Sequence, residues 1–178
     1  LAARDSGMDL VVLLDTSWSM RASEGGRARF EAARASARAA AAFAGAPDRV
    51  AVGGVSAGLD APLAFSAGPA EAQAALARLA PLWRGTDLAA GVSGACRFLA
   101  AGRDQKRRRR VVALFSDGAA HGVAGFSARA PGALPADCPA DVSLVGLAPG
   151  AALANTAVVT ASPSRDGETP GVEARVGV

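Results

Sequence analysis

The chain has 178 residues, a formal net charge of +3 and a composition that is half apolar but only 4% aromatic. That is the length of one domain with room for an appendage, with a core to be built from Ala, Val and Leu rather than from large rings. The mild charge argues against a nucleic-acid partner, and no apolar run approaches the roughly 18 residues of a membrane span, so no direct membrane insertion of this segment is expected.

No secretory leader is visible, and the chain opens on leucine, so it reads as an excised or processed segment. Leu10 to Leu14 is a continuous apolar run, which suits a central strand covered on both faces. It passes directly into Asp15-Thr16-Ser17-Trp18-Ser19-Met20, a loop with a carboxylate and two hydroxyls at alternate positions. Arg21 to Gly26 is a polar loop. Ala28 to Ala44 reads as a helix, with Arg27, Glu31, Arg34 and Arg38 on a polar stripe and Phe30, Ala33, Ala37 and Ala40 opposite. Gly45 and Pro47 end it. Arg49 to Val55 is a second strand, and Leu59 to Phe65 a third, joined to the second so tightly that it becomes an antiparallel edge.

Pro69 to Leu79 is a helix with proline in its first turn. Gly85-Thr86-Asp87 leads into a helix over Leu88 to Ala101. Val111 to Phe115 is a fourth strand, running into Ser116-Asp117-Gly118, and Val142 to Leu147 a fifth. The glycines and prolines between Ala119 and Ala140 allow no more than a turn or two of helix. Thr156 to Ala161 and Val172 to Val178 read as two strands around the turn residues Pro163 and Asp166-Gly167.

The three oxygen-bearing pieces, at Asp15-Ser17-Ser19, Thr86 and Asp117, resemble the metal-ion-dependent adhesion site of von Willebrand factor A domains. The resemblance implies an α/β fold: a Rossmann-like, mostly parallel sheet with one antiparallel edge strand, helices on both faces, and a shortened carboxyl terminus. It implies an A domain over residues 1–150, followed over 151–178 by a linker and the beginning of a β-rich, immunoglobulin-like module. It also implies one divalent metal site formed by Asp15, Ser17, Ser19, Thr86 and Asp117. Hard cations take oxygen ligands, and Mg²⁺ favours six; Mn²⁺ or Ca²⁺ is the alternative. Hydroxyls from Ser17, Ser19 and Thr86 would bind without adding charge, while Asp15 and Asp117 act through water. An open position would then accept an Asp or Glu carboxylate from a protein partner. Such a site belongs beyond the carboxyl ends of the strands, where strand order reverses.

The whole chain is similar to the bacterial aerotolerance-type (Bat-like) A-domain proteins. The matching pieces run in order: Asp15 to Met20, Arg29-Phe30-Glu31-Ala32-Ala33-Arg34, Asp48-Arg49-Val50-Ala51-Val52, Gly85-Thr86-Asp87-Leu88, Phe115-Ser116-Asp117-Gly118 and Asn155-Thr156-Ala157-Val158-Val159. That similarity implies a soluble segment of a membrane-anchored bacterial protein, a protein-binding role and a chaperone-like ATPase system as a possible associate. Two departures stand out. Trp18 occupies a place where the family often has a small residue, and the terminal helix that moves in integrin-type switching has no counterpart.

Other readings compete. Asp15 could be a turn residue and Ser17 or Ser19 a helix cap, or the domain could be a structural module whose metal site is empty or only stabilising. Gly54-Val55-Ser56-Ala57-Gly58 matches the nucleophile motif of serine hydrolases, with His121 downstream, but Leu59-Asp60-Ala61-Pro62 reads as a hairpin where that motif requires a helix. Neither a phosphate-binding loop nor a dinucleotide fingerprint is present. Cys96 and Cys138 do not make a disulfide framework and read as one buried and one loop thiol. Lys106 to Arg110 reads as a solvated connection, with the stem of Arg110 packing at the strand's entry.

Overall fold

A computed structural model describes residues 7–24, 26–102, 108–117, 134–135, 138–139, 141–147, 157–163 and 172–177. In chain order the elements are β1 (Met8–Asp15), a 3-10 turn (Trp18–Arg21), β2 (Ser23–Glu24), β3 (Arg27–Ala28), α1 (Arg29–Phe43), β4 (Arg49–Val55), α2 (Pro69–Arg78), α3 (Leu88–Ala101), β5 (Arg109–Phe115), β6 (Val142–Leu147), β7 (Ala157–Pro163) and β8 (Val172–Gly177).

The main sheet has the order β4-β1-β5-β6, and all its pairings are parallel. β1 is therefore central, which explains its unbroken apolar run: a strand with helices on both faces has no polar side. Its side chains alternate between two cores. Leu10, Val12 and Leu14 pack with Phe30, Ala33, Ala37 and Ala41 of α1 and with Ala72 and Leu76 of α2. Val11 and Leu13 pack with Leu88, Val92, Ala95, Cys96 and Leu99 of α3. Small residues let α3 approach closely. A Cβ at Gly91 would run into Val55 of β4.

The expected α/β sheet with helices on both faces is present, and the antiparallel edge takes a reduced form. Only the two ends of the 59–65 segment pair with β4, through the antiparallel bridges Val55–Leu59 and Ala51–Phe65. Pro62, between them, has no N–H to offer a ladder, and Asp60 turns its carboxylate toward Thr16 and Ser56. Arg49 lies over the Phe65 ring, 4.2 Å from its centroid. The polar loop after β1 is also more ordered than its composition suggests. It holds the 3-10 turn and the two-residue ribbon β2–β3, which turns at Gly26 with φ +80°. At the carboxyl end, β7 and β8 pair antiparallel, the sense expected for the last two strands, and β7 lies close to β6. Among the described residues no helix is long and apolar enough to cross a membrane.

The two cysteines correct the sequence reading. Cys96 of α3 and Cys138, just ahead of β6, form a disulfide. Their spacing of 42 residues carries no signature; what joins them is the packing of α3 over the β5–β6 side of the sheet. The basic run is corrected as well, because Arg108 is a structural residue. At the amino end of β1, Asp9 is buried, and its carboxylate accepts hydrogen bonds from Arg49 (2.8 and 2.6 Å) and Arg108 (2.6 Å). Arg108 also donates to the carbonyls of Met8 and Pro47. Arg110 pairs with Asp141 at 3.3 Å, which ties β5 to the start of β6.

Burial alone would raise the Asp9 pKa, but the hydrogen bonds and charges of Arg49 and Arg108 outweigh it and hold the carboxyl below its ordinary value. A folded-state pKa below the unfolded one stabilises the fold at pH values above the unfolded carboxylate, near ~3.9, and that contribution is lost as pH falls through the folded value. Asp9→Asn is expected to cost about 1.5–3 kcal/mol at pH 7 and to flatten the acid limb of the stability profile, as read from urea unfolding between pH 7 and pH 2. A second expectation concerns the disulfide. Reduction, or the Cys96→Ala/Cys138→Ala double variant, should lower the urea midpoint by the equivalent of about 2–4 kcal/mol, with the far-ultraviolet circular dichroism of the native state retained.

Candidate metal centre

β1 ends by burying a charge. Asp15 has no exposed surface, and both its carboxylate oxygens are engaged. Oδ1 accepts the Ser17 backbone N–H at 2.8 Å, so the chain turns sharply after the strand. Oδ2 accepts the Ser116 hydroxyl at 2.6 Å. The second bond follows from register: the last β1–β5 pair is Leu14–Phe115, and Asp15 meets Ser116 one step further on. Asp117 comes next, its carboxylate only 2% exposed and paired with Arg29 at 3.1 Å. Arg29 is brought there by the β2–β3 ribbon, closed by the Arg29 N–H donating to the Ala22 carbonyl at 2.9 Å. Burial raises the Asp15 pKa above the ordinary carboxylate value, and the nearby negative charge of Asp117 adds to the rise; the bonds from Ser116 and Ser17 only partly offset it.

The two serines face each other. Ser17 stands at the N-cap position of the 3-10 turn, yet its hydroxyl makes no capping bond. Instead it lies 3.2 Å from the Ser19 hydroxyl. The cap reading therefore fails for Ser17.

Thr86 reaches the same place by a different route. The 82–86 segment is stitched to the β1 loop by two backbone bonds, Leu82 N–H to the Thr16 carbonyl at 2.6 Å and Trp18 N–H to the Arg84 carbonyl at 3.1 Å. The next residue, Asp87, donates its N–H to the Ser56 carbonyl at 2.7 Å and caps α3 by accepting from the Ala90 N–H at 2.9 Å. Ser19 and Thr86 consequently line one pocket, with Trp18, Trp83, Arg84 and Gly85. All five residues singled out from the sequence thus lie at the carboxyl end of the sheet. Asp15 and Asp117 sit on the adjacent strands β1 and β5, whose outgoing connections lead to opposite sides, to β4 and to β6, which is where an open sheet of this kind forms its crevice.

A supporting layer escaped the sequence reading. The buried Thr16 hydroxyl contacts the Val55 carbonyl at 3.1 Å and donates to Asp60 Oδ2 at 2.5 Å. Ser56 donates to Asp60 Oδ1 at 2.5 Å. Asp60 thus fastens the β1 loop to the turn after β4. A Cβ on Gly54 would strike this carboxylate, so the position needs glycine. Nothing in the local pattern marks Asp60; a signal would require knowing that Thr16 lies opposite. The same contacts exclude Ser56 as an exposed nucleophile. It is buried, and the next helix starts only at Pro69, not at the turn itself. His121 lies outside the described residues.

The donor set suits a hard divalent cation. Two oxygens ~2.1 Å from one Mg²⁺ at neighbouring octahedral positions lie about 3 Å apart, close to the Ser17–Ser19 separation of 3.2 Å. Among the described residues there is no group of three or more His, Cys, Asp or Glu side chains poised for a metal. A cation here would rest on hydroxyls, with two carboxylates behind them.

In overall fold the chain is similar to the BatB protein of Bacteroides thetaiotaomicron, at 19% identity and a TM-score of 0.63, over 94% of this chain and 75% of that one. It is similar to an aerotolerance-related membrane protein of Bacteroides fragilis at 19% identity and a TM-score of 0.60, over 96% and 82%. A von Willebrand factor type A protein of Catenulispora acidiphila gives 18% identity and a TM-score of 0.57, over 78% and 32%. No curated protein matches the chain. The family profile of the von Willebrand factor type A domain matches residues 10–119, from the middle of β1 to just past Asp117, and the chain belongs to that family.

Proposed function

We propose that this domain is a metal-dependent protein-interaction module whose site captures an Asp or Glu carboxylate of a partner protein. Domains of this family are in general interaction modules and not enzymes. The observation that carries the finer reading is the facing pair Ser17 and Ser19, with Thr86 on the same pocket and Asp15 and Asp117 behind. Ser17, Ser19 and Thr86 would hold a Mg²⁺, or Mn²⁺ or Ca²⁺, directly, and Asp15 and Asp117 would orient its waters. When bound, the cation supplies an electrophilic position, and neutral hydroxyl ligands leave most of its charge for a partner's anion. The protein's own part is to keep the hydroxyls aimed while both carboxylates stay out of solvent. The disulfide suits an oxidising compartment, and the relative from Bacteroides fragilis is a membrane protein. We therefore read the chain as a soluble part of a membrane-anchored protein working outside the cytoplasm.

One observation favours a second reading, a structural module with a stabilising or dispensable metal: Arg29 already pairs with Asp117 and compensates its charge. Two measurements separate the readings. Mg²⁺ titration followed by tryptophan fluorescence is expected to saturate. Mg²⁺ at about 100 times its Kd should stabilise the parent by ~2.7 kcal/mol, with the effect abolished in Thr86→Ala and Asp15→Ala. Capture of a protein partner is then expected to fall at least tenfold with excess chelator and to be lost when the partner's acidic residue is amidated. Metal-dependent stability with chelator-insensitive capture would establish the structural reading instead.

A further inference from the structure

The chain has two tryptophans, 65 positions apart, and the fold stacks them on each other. The ring centroids of Trp18 and Trp83 are 3.7 Å apart at an interplanar angle of 31°. Yet the pair is not core: Trp18 is 47% exposed and Trp83 73%. Large rings left in water normally have a use at an interface, where they supply rigid contact area at low entropic cost. Among the described residues a third large exposed apolar side chain, Phe43 at the end of α1, lines no such pocket.

The setting is an open pocket of about 380 Å³ lined by Trp18 and Trp83 together with Ser19 and Thr86. That volume lies at the small end of ligand sites and suits one or two side chains. Its walls are pre-positioned, because the Trp18 N–H to Arg84 carbonyl bond holds the two segments together. Its rim is basic. The Arg21 guanidinium lies 5.4 Å from the Trp18 centroid and 4.7 Å from that of Trp83, and Arg84 lines the opening. Among the described residues neither arginine is paired with a carboxylate.

We propose that the Trp18–Trp83 pocket is a specificity subsite that takes a large apolar or aromatic side chain next to the coordinating carboxylate, within an acidic segment of a partner protein. This rests on the carboxylate-capture reading and adds what the metal position alone lacks, a means of choosing among carboxylates. Ser19 and Thr86 belong to both the candidate ligand set and the pocket wall, so a residue adjacent to the bound carboxylate has the rings within reach. Arg21 and Arg84 supply the charge complement for further acidic residues.

The test uses blocked hexapeptides carrying one central Asp followed by Phe, Leu or Gly, and a fourth with Asn-Phe, titrated by calorimetry into the intact protein with Mg²⁺ or with chelator. The Asp-Phe peptide is expected to bind about fivefold or more tightly than Asp-Gly, with Asp-Leu between. Trp83→Ala, a change at an exposed position, should erase that ratio, and placing Glu after the Phe should tighten binding in a salt-sensitive way. Equal, Mg²⁺-dependent binding of Asp-Phe and Asp-Gly would overturn the subsite and leave carboxylate capture standing. An aromatic preference that survives both chelator and the Asn substitution would overturn carboxylate capture and keep the pocket. Absence of binding by all peptides, or Trp83-dependent self-association of the protein in sedimentation, would overturn the proposal.

Discussion

The structure turns on one buried carboxylate. Asp15 closes the central strand of a parallel sheet, where solvent does not reach it. A charged group in such a place is costly unless its oxygens are hydrogen-bonded, and two donors meet that need from different directions. The Ser17 amide forces the chain to turn at once, and the Ser116 hydroxyl fixes where β5 must end. The turn in turn sets Ser17 opposite Ser19, and the end of β5 sets Asp117 beside β1. The arrangement of oxygen atoms at the site is thus a consequence of how one charge is kept satisfied.

β1 carries a polar pin at each end, and the two are different in kind. At its amino end Asp9 is clamped by two arginines from neighbouring strand entries, an arrangement that neutralises the carboxylate locally and joins β1, β4 and β5. At its carboxyl end Asp15 is held, among the described residues, by the neutral donors Ser17 and Ser116. The first pin serves the fold, and the second shapes the crevice. The layer around Asp60 keeps that crevice in shape, since it links the β1 loop, the turn after β4 and, through Ser56 and Asp87, the start of α3.

Most of this was legible in the sequence where a local pattern carried it. The unbroken run Leu10 to Leu14 reports a strand covered on both faces, and the stripe at Phe30, Ala33 and Ala37 reports the buried side of α1. The oxygen-bearing residues stood out because each follows a strand or opens a helix. Features that depend on long-range approach left no such trace. The Cys96–Cys138 pairing, the Asp60 bridge and the clamp of Arg108 on Asp9 join residues 42, 44 and 99 positions apart. A run of five basic residues looks solvated because charge runs usually are; here one of them is drawn inward by a buried carboxylate that the sequence places on the far side of three helices. The Leu59 to Phe65 segment keeps its antiparallel edge in a reduced form. Its strand-like residues do pair at both ends, but Pro62 and the inward turn of Asp60 interrupt the ladder.

Arg29 gives the site its remaining asymmetry. Of the two carboxylates at the crevice, Asp117 has a guanidinium at 3.1 Å, and among the described residues Asp15 has only neutral donors. The pairing keeps Asp117 aimed and partly compensated. A site already in shape loses less free energy to ordering when a ligand arrives. Behind the Ser17 and Ser19 hydroxyls, Asp15 has no cationic partner among the described residues, while the surface beyond, at Arg21 and Arg84, is positive. On the proposed reading, charge alternates outward from the core: a buried carboxylate, a cation, a partner's anion, then a basic and aromatic rim.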